Sequence, residues 1–262
     1  MAAVVILVAG VVVAVVLVIA LRGPKPTTGY DASYPQCSGY PSNPLFGIVG
    51  VNGGLANNTN PCLSDELHWA SGSPGQKRPV QPSLSLYIDT ANPGAHHVGD
   101  WPSGGNTPLY GACNGKLTDA CSYLYGKQRA AHSYGVVAAR DAARARTAPW
   151  WLDVELAGTW AGTYELNIAA LRGFVAGLQG AGAAGPIGIY STAAQWHDIT
   201  GLTAQTTQEA FDARLPDWVA GTRATLAQAQ QSCATGGFTG VAPTLAQYRS
   251  DPFDADVRCV RS

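Results

Sequence analysis

Eight short segments with the composition of buried β-strands recur along the chain, and helical patterns lie between them. The segments are GYD at 29–31, LFGIVGV at 45–51, SLSLYID at 83–89, PWWLD at 149–153, PIGIYS at 186–191, DWVA at 217–220, LAQY at 245–248 and FDADV at 253–257. Strands that alternate with helices form parallel sheets, because each crossover helix returns the chain to the same edge. Eight of them predict an α/β fold, a closed (β/α)8 barrel of the TIM type.

The helical patterns between these strands have ordinary start signals and apolar faces. Ser64 is a capping residue for a helix through Leu67 and Trp69, and residues 119–146 form a long helical stretch with scattered arginines. Residues 166–179 place Leu171, Phe174 and Leu178 on one face, and residues 225–234 predict a further helix. No repeat of fixed period is present, which disfavours a solenoid.

Polar side chains fall in or at the carboxyl ends of the predicted strands. They are Asp31, Asp89, Asp153, Glu155, Tyr190, Trp218, Gln247, Asp254 and Asp256. In a barrel these ends meet at the face that carries active sites, so the sequence predicts one acidic pocket. Tryptophan rings such as Trp151 and Trp218 are candidates to stack on sugar faces at its rim, and the alternative for each ring is core packing.

The stretch PWWLDVELAGTW at 149–160 contains two carboxyls two residues apart, Asp153 and Glu155. Side chains at i and i+2 of a strand point to the same face, so both should enter the same space. Like charges this close cannot both ionise freely, and the preceding apolar residues lower the local dielectric. Glu155 is therefore expected to keep its proton to higher pH, as a general acid must. The alternative is a strand-end ion pair at the surface.

The composition and the missing motifs exclude several classes of function. Only 13% of the residues are charged and the net charge is −1, so the chain has no basic surface for nucleic acid. No C-x-x-C pair is present, and His96 and His97 with Asp100 lack the i, i+4 spacing of zinc motifs, so no metal is expected. A serine hydrolase is disfavoured because no G-x-S-x-G elbow is present.

The first 22 residues contain an uninterrupted apolar run, AAVVILVAGVVVAVVLVIAL at 2–21, long enough to cross a bilayer as a helix. It predicts a membrane anchor or a signal peptide at 1–22, a stiff proline-containing linker at 23–28 and a barrel domain at 29–262. Arg22 and Lys25 after the run favour a cytoplasmic domain. An even count of six cysteines instead favours an oxidising, extracytoplasmic compartment, and we give it more weight. Local pairing would join Cys37 to Cys62, Cys113 to Cys121 and Cys233 to Cys259, although six cysteines allow fifteen pairings.

Five short motifs occur in an order that resembles a known family. They are GYDAS at 29–33, WWLDVE at 150–155, GIYST at 188–192 followed by Trp196, DWVAG at 217–221, and AQY at 246–248 with D-x-D at 254–256. This order resembles the family 25 glycoside hydrolases, the lysozyme-like muramidases, and above all their divergent secreted or membrane-anchored actinobacterial branch. The resemblance covers residues 29–259.

The resemblance implies a β/α barrel with an acidic lumen that cleaves the β-1,4 bond between N-acetylmuramic acid and N-acetylglucosamine, with no cofactor. It implies Glu155 as the general acid, assisted by Asp153 electrostatically or through the substrate acetamido group. Asp31 matches the first-strand aspartate, and Asp254 or Asp256 the last-strand one. Residues expected to contact substrate are Asp89, Tyr190, Trp218, Gln247 and Trp151. YIDTANPG at 87–94 and the long region 94–146 depart from the family pattern.

The sequence thus favours an extracytoplasmic glycosidase, secreted or held by its N-terminal helix, that acts on peptidoglycan or a related amino-sugar polymer. Two alternatives remain from other classes. The same barrel could bind cell-wall glycan without cleaving it, or it could be a structural envelope protein whose D-x-E is only an ion pair.

Overall fold

The computed structural model of the chain describes residues 27–94 and 99–260. The strands in this part are β1 (Gly29–Ala32), β2 (Gly47–Gly50), β3 (Gln76–Lys77), β4 (Val80–Gln81), β5 (Leu84–Asp89), β6 (Gly105–Thr107), β7 (Gly111–Cys113), β8 (Trp150–Asp153), β9 (Ile187–Ser191), β10 (Asp217–Val219), β11 (Leu245–Ser250) and β12 (Phe253–Arg258). The helices are α1 (Leu63–Ser71), α2 (Asp119–Ala138), α3 (Ala142–Thr147), α4 (Tyr164–Ala181), α5 (Ala193–Thr200), α6 (Ala204–Ala210) and α7 (Leu226–Ala234).

Eight of the strands close into a barrel, in the order β1-β12-β11-β10-β9-β8-β5-β2. Each barrel strand coincides with one of the eight predicted segments, so the prediction of a closed eight-stranded α/β barrel is confirmed. The short pairs β3–β4 and β6–β7 form two separate hairpins outside it.

The regular (β/α)8 alternation, however, is wrong for this chain. β12 pairs antiparallel with both β1 and β11, while the other neighbouring strands of the barrel are parallel. Only Asp251 and Pro252 connect β11 to β12, and so short a connection cannot provide the crossover that a parallel pair needs. The segment between β1 and β2 likewise contains no helix.

The long helix predicted over residues 119–146 is divided in two. α2 ends at Ala138, and the Asp141 side chain accepts the Arg144 N–H at 2.9 Å and so begins α3. An aspartate that bonds to the backbone three residues later favours a helix start over a helix interior. The helices α5 and α6, which our sequence analysis did not predict, also begin at capping residues, Thr192 and Thr203.

α2 and α4 pack closely against each other outside the barrel, and glycines make this approach possible. A Cβ at Gly126 would meet the backbone oxygen of Ala170, and one at Gly173 would meet that of Tyr123. α4 turns Leu171, Phe174 and Leu178 inward, all buried, as their helical spacing predicted. The pair thereby covers the outer face of the barrel wall.

The barrel interior is filled by a cluster of large side chains. Phe46, Ile48, Trp151, Tyr190, Trp218 and Leu245 pack together there. Asp153 follows Trp151 by two residues on the same face of β8, so the carboxyls lie above this cluster, toward the carboxyl ends of the parallel strands. The cluster therefore forms the floor of the site.

Three disulfides join the predicted pairs: Cys37–Cys62, Cys113–Cys121 and Cys233–Cys259. The predicted anchor at 1–22 and most of the predicted linker lie outside the described residues, as do His96 and His97. Within 27–94 and 99–260, no helix has the length and apolarity needed to span a bilayer.

Candidate active site

Three carboxyls line one cavity of about 250 Å³ at the carboxyl ends of β2, β5 and β8. Asp89 ends β5 and pairs in register with Asp153, which ends β8, and Glu155 follows two residues later. The prediction that Asp153 and Glu155 enter the same space is therefore confirmed. The remaining walls are residues 54–57, 90, 91, 93, 125 and 157–159.

Burial controls the protonation of the two aspartates. Desolvation raises the pKa of Asp153 well above its usual range, and the charges of Asp89, Glu155 and Asp31 raise it further. Desolvation also raises the pKa of Asp89 to about 6, a rise that Glu155 increases and that hydrogen bonds from the backbone of Asp89 and Gly54 reduce. Asp89 and Asp153 thus retain protons at a pH where exposed aspartates have lost theirs.

Glu155 lies just past the end of β8, and both its backbone and its side chain are held. Its carbonyl oxygen accepts the indole N–H of Trp160 at 2.8 Å and the Gly158 N–H at 3.0 Å. Its Oε1 accepts a hydrogen bond from Gln195 Nε2 at 3.1 Å. These bonds fix the orientation of the Glu155 side chain relative to the loop. The expectation that Glu155 keeps its proton to higher pH stays a prediction.

Asp31 and Asp256 form a second acidic pair deeper in the barrel. Gln247 Nε2 donates to Asp31 Oδ2 at 3.0 Å, and Gln247 Oε1 accepts the Tyr190 hydroxyl at 2.8 Å. Trp218 Nε1 donates to Asp256 Oδ1 at 2.7 Å. Desolvation raises the pKa of Asp31 to about 6 and that of Asp256 well above its usual range, where the charge of Asp31 raises it further.

The structure separates the two aspartates of the last strand. Asp256 is buried next to Asp31, whereas Asp254 forms an ion pair with Arg249 at 3.3 Å near the mouth of the barrel. Arg249 is also paired with Asp251 at 2.6 Å. Asp256 is thus the member of the pair that shares the barrel interior with the other carboxyls.

The predicted aromatic rim is not formed by Trp151 and Trp218. Their exposed fractions are 2% and 1%, and the two rings contact each other edge to face within the barrel floor. The Tyr190 ring lies 4.3 Å from that of Trp218, centroid to centroid, with an angle of 54° between the ring planes, and is buried with it. In this structure the core-packing alternative describes these rings, because the narrow lumen encloses inward-facing side chains.

Two wall residues of the cavity were missed by our sequence analysis. Tyr125 reaches the cavity from α2 and stacks on Trp101, and burial raises its pKa to about 12. Asn57 reaches it from the loop after β2 and donates to Asp100 Oδ2 at 3.1 Å. Asp100 is also paired with Arg129 at 3.3 Å. No local pattern marks these residues, because Tyr125 and Asp100, the partner of Asn57, both lie in the segment between β5 and β8, far from the other cavity residues in sequence.

A larger cavity of about 680 Å³ lies at the opposite end of the barrel, where the parallel strands begin. Its lining includes Arg214 and Arg258 but no carboxyl group. We therefore place the acid chemistry in the smaller cavity, despite its size. Among residues 27–94 and 99–260 no group of three or more His, Cys, Asp or Glu is arranged to hold a metal ion.

Comparisons with known proteins point to the same kind of barrel. A protein of Dictyostelium discoideum described as probable family 25 lysozyme 4 is 43% identical over 51 residues, which are 20% of this chain and 22% of that protein. The chain thus matches about a fifth of the length of this curated relative. No family model matches the chain.

Two solved structures share the fold over most of their length. A muramidase from Trichobolus zukalii has a TM-score of 0.50 at 16% identity, covering 88% of this chain and 93% of the muramidase. A bacterial lysozyme from Streptomyces coelicolor has the same TM-score and identity, covering 90% of this chain and 93% of the lysozyme. Over 51 residues the chain is similar to a protein described as a family 25 lysozyme. At this identity the solved structures show a shared barrel fold, and the family 25 resemblance of the motifs GYDAS and WWLDVE agrees with it.

Proposed function

We propose that the chain is a glycoside hydrolase that cleaves an amino-sugar glycan, namely the β-1,4 bonds of peptidoglycan. The observation that carries the proposal is the cavity at the carboxyl ends of the strands, where Asp89, Asp153 and Glu155 meet. Glycoside hydrolysis needs a carboxyl that donates a proton and a second group that stabilises the sugar cation. The similarity over 51 residues to a protein described as a family 25 lysozyme supports the same reaction.

Glu155 is the general acid of this proposal. Its proton passes to the glycosidic oxygen while the bond from that oxygen to C1 breaks. Water then adds to C1 and returns one proton to Glu155, so the net reaction consumes one water molecule. Gln195, Trp160 and Gly158 hold the loop that presents this carboxyl.

Asp153 assists without bonding to the sugar. Its raised pKa makes it a weak nucleophile, because a carboxyl that keeps its proton has little charge to donate. It is better suited to orient the acetamido group of the substrate, whose carbonyl oxygen forms the transient bond to C1. Substrate assistance of this kind is a recognised alternative to a carboxylate nucleophile. Asp31, Asp256, Tyr190 and Gln247 support the site from below, and Asp89 contacts the substrate.

The disulfides and the N-terminal sequence support an extracytoplasmic place of action. Three disulfides fit an oxidising, extracytoplasmic compartment. We propose that residues 1–22 hold the barrel domain, 29–262, at a membrane through the linker at 23–28, or that they direct its secretion.

The test is release of reducing ends from purified peptidoglycan by the full chain and by Glu155→Gln. The variant keeps the shape of the side chain and removes the transferable proton. We expect the rate to fall by about 100-fold or more, since general acid catalysis contributes about that much. Glu209→Gln, an exposed glutamate of α6 outside the cavity, is the matched control and should retain the parental rate.

Activity that persists in Glu155→Gln contradicts the assignment of the acid. A parent that binds insoluble peptidoglycan without releasing reducing ends favours the glycan-binding alternative. If the parent neither cleaves nor binds peptidoglycan, the result favours a structural role in the cell envelope.

A further inference from the structure

Two helices of this chain begin with the same four-residue pattern but use its last residue differently. α7 follows Thr225 with Gln228 at the third helical position, and α5 follows Thr192 with Gln195 at the same position. In both helices the threonine accepts the N–H of the glutamine. Such a pattern predicts a capping box, in which the glutamine side chain reaches back to the N–H of the capping residue.

α7 forms this capping box and α5 does not. Gln228 Oε1 accepts the Thr225 N–H at 2.8 Å. The Gln195 side chain instead leaves its own helix and contacts the loop after β8. Its Oε1 accepts the Leu156 N–H at 2.7 Å, and its Nε2 donates to Glu155 Oε1 at 3.1 Å. A local capping bond is thus given up for two bonds to the loop that carries the proposed acid.

The orientation of the Gln195 amide is determined by its partners. The backbone N–H of Leu156 can only donate, so the atom that faces it must be the amide oxygen. The amide nitrogen must then face Glu155, where it can only donate. Glu155 Oε1 is therefore an acceptor in both protonation states, and a proton on this carboxyl resides on Oε2.

We propose that Gln195 is a positioning residue that directs the transferable proton of Glu155 to Oε2. It also fixes the carboxyl by binding the backbone of the next residue. This inference rests on the proposed function, because it assumes that Glu155 donates a proton to the substrate. Its effect on the Glu155 carboxyl, however, is measurable without turnover.

The effect of Gln195 on Glu155 can be distinguished from that of the charged groups nearby. Asp89 on β5, Asp153 at the end of β8 and Tyr190 on β9 interact electrostatically with it. On α5, His197 Nδ1 lies 3.8 Å from Asp198 Oδ1. In the part of the chain that the structure describes, no cation forms an ion pair with Glu155. The side chain that donates a hydrogen bond to the Glu155 carboxyl is thus the Gln195 amide.

The experiment compares Gln195→Glu, Gln195→Met and the matched control Gln228→Glu. Gln195→Glu keeps an acceptor for the Leu156 N–H but replaces the donor facing Glu155 with a second carboxyl. Gln195→Met keeps the length and removes both bonds. Gln228→Glu makes the same change at the equivalent position of α7, remote from Glu155 in the chain and outside the cavity lining.

Two readouts are recorded for each protein. One is the pH dependence of kcat and KM for release of reducing ends from peptidoglycan. The other is the carboxyl carbon resonance of Glu155 followed by NMR through a pH titration, identified by its loss in Glu155→Gln. We expect Gln195→Glu to move both the alkaline limb and the Glu155 titration upward by about one pH unit, because two facing carboxyls share a proton. Gln195→Met should lower kcat about 10-fold with little change in KM, and Gln228→Glu should match the parent.

An unmoved Glu155 titration in Gln195→Glu overturns the inference, as does an equal shift in Gln228→Glu. If the Glu155 titration moves upward in Gln195→Glu but the parent releases no reducing ends, the proposed function is contradicted and the hydrogen bond of Gln195 to Glu155 is supported. The failure of either proposal is therefore distinguishable from that of the other.

Discussion

At the residue scale, Asp153 is held in surroundings that oppose its charge. It is enclosed by the barrel, and Asp89, Glu155 and Asp31 all act on it with charges of the same sign. A group whose pKa is raised by folding contributes its full stability below about pH 4, and loses it as the pH rises through the folded-state pKa. Asp153 therefore lowers the stability of the fold at neutral pH.

Replacing Asp153 by Asn should consequently stabilise the protein while it impairs the reaction. We expect the free energy of unfolding to be higher than that of the parent at pH 7, because the neutral amide avoids the desolvation and like-charge repulsion that raise the Asp153 pKa, and to be almost unchanged at pH 4. Peptidoglycan cleavage should fall about 10-fold to 100-fold. Urea unfolding at the two pH values measures the first effect, with the exposed Asp212→Asn as control. A variant less stable than the parent at pH 7 would contradict the argument.

The placement of some residues could be predicted from the sequence, and that of others could not. Asp153 and Glu155 were paired from their spacing alone, since i and i+2 on a strand share a face. In the structure Asp153 ends β8 and Glu155 lies in the loop just after it, and both still line the same cavity. The location of Trp218 could not be predicted from the sequence, because a tryptophan ring suits either an exposed rim or a buried core. The neighbouring strands of the barrel bury it. Gln195 had a pattern typical of a capping box, but the nearby β8 loop offered its side chain two other partners.

At the element scale, the contact between α2 and α4 depends on small residues. Gly173 lies in α4, where an added Cβ would meet the backbone oxygen of Tyr123, which cannot move without displacing α2. Gly180 lies in the same helix with open space around its Cα. Alanine substitutions at these two glycines therefore distinguish the effect of helix packing on stability from the effect of helix propensity.

Gly173→Ala should destabilise the protein by about 1–3 kcal/mol, the usual effect of overpacking. Gly180→Ala should stabilise it by up to about 1 kcal/mol, since alanine favours the helix more than glycine does. Thermal unfolding of the two variants measures both effects. If both alanines stabilise the protein, α2 and α4 are farther apart than the structure shows.

At the scale of the whole molecule, the barrel is closed by its last strand. β12 joins β11 to β1, and Cys259 after β12 is bonded to Cys233 of α7. This disulfide connects residues 26 positions apart, whereas Cys113–Cys121 spans 8. A longer loop restricts the unfolded chain more, so the bond next to the barrel closure should contribute more stability.

Removal of the Cys233–Cys259 disulfide by double substitution with Ala should lower the free energy of unfolding by about 3 kcal/mol. The equivalent change at Cys113 and Cys121 should cost less, about 2 kcal/mol. Denaturant unfolding under non-reducing conditions compares the two double variants with the parent. A larger loss at Cys113 and Cys121 would indicate that native packing, rather than loop length, sets the effect.

The sequence by itself determined the eight strands, most of the helices and the D-x-E carboxyls, and it suggested local disulfide pairs that the structure then showed. These features depend on periodicity and spacing within short stretches, which the chain carries before it folds. Only the tertiary structure decided the antiparallel direction of β12, the burial of Trp151 and Trp218, the wall formed by Tyr125 and the partners of Gln195. Each of these depends on groups far apart in sequence, and barrel closure determines which of those groups become neighbours.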